Sequence, residues 1–178
     1  PSTQGLRCSL TWRSKDMKYV VLEGFDGCGK TTLQQRLCED LRTVKLATYR
    51  KPYCRQDVLD YTAWITQCPF NVIIDRHPYV SELIYGSVLN RAPLVTQSET
   101  ETWADSTLVV YCRPPEPQLY SQPQMEGVIE NASRLMLQYD YLFEVLPHIT
   151  YDWTNYEYIR NTIAAYLSSS TGVNAEDR

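Results

Sequence analysis

Apolar runs and amphipathic stretches alternate along this chain, the rhythm of β-α units wound around a parallel sheet. Short apolar runs predict strands at Tyr19–Glu23, Lys45–Arg50, Asn71–Asp75, Ser106–Cys112 and His148–Asp152. Helical spacing fills the gaps between them. Leu33, Leu37 and Leu41 recur every fourth residue and predict a helix from Lys30 or Thr31 to about Arg42. A second helix is predicted over Gln56–Gln67, before Pro69. A third opens with Pro78 in the first helical position and runs to about Leu89, turning Leu83, Ile84 and Val88 inward. Gln97–Trp103 reads as a short polar helix. Asn131–Val145 and Tyr156–Leu167 complete the set, the former stopped by Pro147 with Leu135, Tyr139 and Leu142 on its inner face.

Residues 1–16 show no periodicity and residues 169–178 are mostly small or charged, so both are expected to be flexible ends around a single domain at 17–168. One internal stretch breaks the rhythm: Arg113–Gly127 carries four prolines and three glutamines with few apolar anchors. It reads as a surface loop or as a lid, within 113–130.

The most informative residues are Gly24-Phe25-Asp26-Gly27-Cys28-Gly29-Lys30-Thr31, which fit G-x-x-x-x-G-K-[ST] between a predicted strand and a predicted helix. Glycines let backbone N–H groups curl around phosphate oxygens, and the helix N-terminus adds partial positive charge. Lys30 then reaches the β/γ-phosphates and the Thr31 hydroxyl holds Mg²⁺. The fold class that follows is α/β, of the P-loop NTPase type. At the end of the third strand, Val72-Ile73-Ile74 delivers Asp75 and Arg76 to the edge where open α/β sheets bind ligands. Asp75 suits the metal shell or the acceptor; Arg76 suits a phosphate or the developing charge. A third signal, Tyr49-Arg50-Lys51-Pro52-Tyr53-Cys54-Arg55, is the densest basic patch, with tyrosine faces that suit a base.

The 178 residues carry 17 Lys+Arg against 21 Asp+Glu, a net charge of −4. That balance argues against a protein that coats nucleic acid, whose affinity comes from cations on phosphates, but leaves local contact with DNA open. Six scattered cysteines with no C-x-x-C pair, and two histidines, give neither a zinc pattern nor a disulfide scaffold. Cys28 and Cys54 read as small space-fillers. No apolar run approaches a membrane span, so a soluble protein of the cytoplasm, with reduced thiols and no membrane partner, is expected.

Glu23-Gly24-Phe25-Asp26-Gly27-Cys28-Gly29-Lys30-Thr31-Thr32, with Asp75-Arg76 and Ser81, resembles the thymidylate kinase family and its deoxynucleoside kinase relatives across about Lys18–Leu167. The resemblance implies a five-stranded parallel sheet flanked by helices on both faces, with ATP and Mg²⁺ as donor. Gly24 through Thr32 would cradle ATP, joined by Arg113 at the lid. It also implies an acceptor beside the loop, held by residues after the second and third strands, where Arg50, Lys51, Tyr53, Arg55, Asp75 and Arg76 lie. His77, adjacent to Arg76, and Tyr85, downstream of it, read as further contacts of the acceptor. Two departures stand out. The family's Thr-Arg-Glu-Pro-Gly-Gly stretch is replaced by Tyr49–Cys54, and its arginine-rich lid is reduced to Arg113.

Asp75-Arg76-His77-Pro78, Ser81–Gly86, Tyr111–Pro115 and Gln124–Val128 are further similar to short thymidylate-kinase-like proteins of bacteriophages. Some of these phosphorylate the hydroxymethyl group of 5-hydroxymethyluracil in DNA and others are taken to act on free deoxynucleotides, so the resemblance leaves both acceptors open; a phage origin would place the protein in the host cytoplasm. The reading with DNA as acceptor takes Asp26 as first candidate base and Asp75 as second, beside Lys30 and Arg76. A deoxynucleoside monophosphate kinase is the runner-up, needing Arg50, Arg55 and Arg76 more than a base. An ATP-gated switch is the third reading. A homodimer is left open as the assembly.

Overall fold

The computed structural model describes residues 18–46, 51–115 and 128–169. Arg50, most of the expected lid and the two ends, apart from Ser169, lie outside the described residues.

Strand β1 (Tyr19–Glu23) is an almost continuous apolar run because both of its faces are covered. It lies at the centre of a parallel sheet, β2-β3-β1-β4-β5, with β2 at Val44–Leu46, β3 at Val72–Asp75, β4 at Leu108–Cys112 and β5 at Ile149–Tyr151. Val20 pairs with Ile73 on one side and Leu108 on the other. The chain leaves β1 toward β2 and later returns across it to β4, so the C-terminal ends of β1, β3 and β4 frame a crevice at the reversal of strand order. The right-handed rule for such crossovers puts α1 (Lys30–Leu41) on one face. It puts α2 (Arg55–Thr66), α3 (Pro78–Val88), α4 (Gln97–Ala104) and α5 (Ala132–Phe143) on the other. Helix α6 (Tyr156–Ser168) packs on α1, where Arg36 lies 3.4 Å over the Tyr156 ring and the Tyr156 hydroxyl donates to Asp40 at 2.6 Å.

The helix ends follow from their residues. Pro78 occupies the first turn of α3 behind His77 as cap. Thr96 and Glu99 form a capping box on α4, the Glu99 carboxylate accepting from Thr96 N–H at 2.8 Å. Asp57 does the same for Cys54 on α2 at 3.1 Å, so Cys54 is an exposed cap rather than a space-filler. Cys28 is wholly buried.

Two residues near the expected boundaries are held by the fold. Ser169, assigned to the flexible tail, is held because the Lys18 ammonium donates to its carbonyl at 2.6 Å and to Tyr166 O at 2.8 Å. Val128, assigned to the lid, is fully buried in the core. No helix among the described residues is long and apolar enough to cross a membrane.

Candidate active site

The site begins where β1 stops. Gly24 sits at φ 140°, and a Cβ there would stand 2.4 Å from the carbonyl oxygen of Cys112 on β4, so only glycine lets the loop leave the sheet here. The loop wraps Lys30, whose buried ammonium donates to Gly24 O at 2.9 Å and Phe25 O at 2.8 Å. Burial, and then Arg76, lower the Lys30 pKa. Phe25 turns into the core, while Thr31 and Thr32 remain exposed at the start of α1.

The Thr31 hydroxyl donates to Asp75 Oδ2 at 2.6 Å, joining the helix start to the end of β3. These are hard oxygen donors side by side at the loop. Among the described residues no group of three His, Cys, Asp or Glu could hold a metal. A hydroxyl and one carboxylate fit Mg²⁺, which keeps waters and takes phosphate oxygens rather than an all-protein cage.

Arg76 follows Asp75 at φ 70°, left-handed for a non-glycine residue. Its N–H donates to Leu22 O at 2.9 Å, and its guanidinium turns toward the loop. Nη2 donates to Asp26 Oδ1 at 2.7 Å, and Nη1 to the Tyr139 hydroxyl at 2.6 Å. Tyr85 donates its own hydroxyl to Asp26 Oδ2 at 2.5 Å. Burial pushes the Asp26 carboxyl up, but Arg76 and Lys30 outweigh it and hold it below the ordinary aspartate value. Asp26 is therefore an ionised carboxylate at the mouth of the loop. The expected residues Asp26, Lys30, Thr31, Asp75, Arg76 and Tyr85 thus stand together.

Beneath them lies Glu23, fully buried. It accepts from the His77 N–H at 2.6 Å and from Tyr139 OH at 3.4 Å, tying the end of β1 to the β3–α3 turn and to α5. Burial pushes its carboxyl up to about 7 against the pull of Arg76, the His77 N–H and Lys30. Sequence reasoning named Glu23 and Tyr139 but gave neither a place in the site. The signal for Glu23 was a carboxylate closing an apolar strand immediately before the loop; Tyr139 reads as an ordinary core position.

Other expectations land differently. His77, expected at the acceptor, is 0% exposed, its ring stacked on Trp103 at 4.5 Å and on Tyr79 at 5.4 Å. Burial pulls its pKa down to about 3, so it is a neutral core aromatic and not an acceptor contact in this structure. Arg55 ion-pairs with Glu99 of α4. Lys51 and Tyr53 are exposed, Tyr53 at 95%. Arg113 is bound in bidentate fashion by Asp140 at 2.8 and 3.0 Å, and its N–H donates to Tyr151 O at 2.8 Å.

No family model matches the chain, and no curated protein does. Solved structures do match. YorR of Bacillus subtilis, in complex with phosphorylated GDP, gives a TM-score of 0.61 at 19% identity, over 82% of this chain and 93% of that one. The deoxyadenosine kinase of M. mycoides, with products dCMP and dCDP bound, gives 0.55 at 17% identity, over 83% and 99%. The likeness establishes the fold: a five-stranded parallel α/β sheet of the P-loop NTPase kind.

Proposed function

We propose that this chain is a P-loop kinase that transfers the γ-phosphate of ATP to the 5-hydroxymethyl group of 5-hydroxymethyl-deoxyuridine in DNA. The observation that carries the reading is the Asp26–Arg76 pair at the mouth of the loop, with Tyr85 on the second carboxylate oxygen. An anionic acceptor needs no base and gains nothing from that carboxylate. A neutral hydroxyl gains from it, because its proton needs an acceptor as the new P–O bond forms. The products are ADP, the phosphomonoester and that proton.

In this reading Gly24–Thr32 hold the triphosphate, and Lys30 and Arg76 stabilise charge on the transferring phosphoryl group. Thr31 and Asp75 would hold Mg²⁺, which would neutralise phosphate charge there. Asp75 is thereby occupied, leaving Asp26 as the base. Lys51 and Tyr53, exposed after β2, address the DNA strand, and the target base is flipped out of the stack. The domain is read as 17–168, with Arg113 at the foot of a lid. The replaced acceptor stretch at Tyr49–Cys54, rich in cations and tyrosines, supports the choice of DNA.

A deoxynucleoside monophosphate kinase is the second reading. The net charge of −4 favours it. Asp26→Asn separates the two. With DNA as acceptor and Asp26 as base, kcat falls on the order of 10²-fold or more. Substantial activity of the variant on a free monophosphate selects the second reading.

A further inference from the structure

Trp153, in the turn between β5 and α6, belongs to none of the groups described so far, yet it touches the phosphate loop. Its indole Nε1–H donates to the carbonyl of Cys28 at 3.1 Å, across 125 residues of sequence. A Cβ added to Gly29 would stand 3.0 Å from that same nitrogen. Trp153 itself is held at φ 78°, a conformation that a bulky side chain adopts only when its surroundings impose it.

The surroundings do so. Asp152 Oδ1 accepts from Thr154 N–H at 3.0 Å and from the Thr154 hydroxyl at 2.8 Å. Asn155 accepts from Asp152 N–H at 3.3 Å and donates to Thr150 O at 2.8 Å. These side-chain turns fix the backbone on both sides of Trp153. Trp153 is 38% exposed, so simple burial does not account for its placement.

A trans peptide sends its C=O and its following N–H in opposite directions. A donor that pins the Cys28 carbonyl therefore also aims the Gly29 N–H, away from Trp153. Gly29, at φ 80°, has no side chain to resist rotation of that peptide plane. We propose that Trp153 is a positioning residue for triphosphate binding: its indole N–H locks the Cys28–Gly29 peptide so that the Gly29 N–H faces the phosphates. The inference rests on reading residues 24–31 as a phosphate-binding loop, and it is independent of the acceptor.

The test uses inorganic tripolyphosphate with Mg²⁺, which has no base to stack on an indole, alongside ATP. Calorimetry on Trp153→Phe, which keeps the ring and loses the donor, should show both ligands bound about three- to tenfold more weakly, the loss of one hydrogen bond. The KM for the acceptor should not change, and Trp153→His, which restores an N–H, should recover part of the loss. In ¹⁵N-labelled wild-type protein, saturating tripolyphosphate should shift the Trp153 indole resonance and slow its exchange. Unchanged tripolyphosphate affinity in a folded Trp153→Phe, with or without weaker ATP, overturns the proposal. So does an unmoved indole resonance in the wild type, whatever the variants do. If the wild type binds neither ligand, the phosphate-loop reading itself has failed.

Discussion

The guanidinium of Arg76 reaches across from the end of β3 to Asp26 in the phosphate loop, Nη2 to Oδ1 at 2.7 Å, while its other arm holds Tyr139. The two side chains are 14% and 24% exposed, so solvent screens the pair weakly. Arg76→Met leaves the Asp26 and Glu23 carboxylates without their strongest cation. The expected result is a loss of about 3 kcal/mol in stability at neutral pH. A kcat reduction on the order of 10²-fold should accompany it, from the lost clamp on the phosphoryl group. Urea unfolding of Arg76→Met, Asp26→Asn and the double variant checks the pairing: the double variant should lose less than the sum of the singles.

Glu23 and His77, joined through the His77 N–H, give stability opposite pH slopes. The Glu23 carboxyl rises from 4.5 to about 7 on folding, chiefly through burial, so the folded chain retains a proton that the unfolded chain has released. Stability from this group falls as pH rises through that window, by about 1.4 kcal/mol per unit. His77 falls from 6.5 to about 3 through burial, so its contribution is present above 6.5 and lost as pH drops toward 3. Between pH 4.5 and 6.5 the two oppose each other. Relative to wild type, Glu23→Gln should lose stability faster on acidification, and His77→Phe should lose it as pH rises. Urea midpoints across that range measure both slopes.

Gly24→Ala tests the close approach of the loop to β4. The new Cβ meets backbone oxygen, not a flexible side chain, at a φ of 140°. A destabilisation on the order of 3 kcal/mol is expected, with loss of nucleotide binding, read by thermal melting with and without ATP.

If DNA is the acceptor, binding must weaken with salt even though the chain carries a net charge of −4. Lys51→Ala should lower the salt slope of DNA binding by about one. Arg55→Ala should lower it less, because Glu99 already pairs with that guanidinium. Fluorescence anisotropy at several salt concentrations gives the slopes.

The elements were legible because each is signalled locally: apolar runs for β1 and β3, the Leu33/Leu37 stripe for α1, and Pro78 at the start of α3. The loop at Gly24–Thr31 was legible for the same reason, its pattern being written in eight consecutive residues. What escaped depends on partners far apart in sequence. Glu23 gains its place from a backbone N–H 54 positions away, and Trp153 from a carbonyl 125 positions away. His77 follows Arg76 directly, and sequence adjacency suggested a shared site. The left-handed turn at Arg76 instead accompanies a guanidinium over the loop and an imidazole inside the α2–α3–α4 aromatic cluster.

Label transfer from γ-labelled ATP tests the central claim most directly, with duplexes containing 5-hydroxymethyluracil, matching plain duplexes, free deoxynucleosides and deoxynucleoside monophosphates as acceptors. The account expects stable label on the hydroxymethyluracil duplex alone. Label on a monophosphate such as dTMP, with none on hydroxymethyluracil DNA, would contradict it.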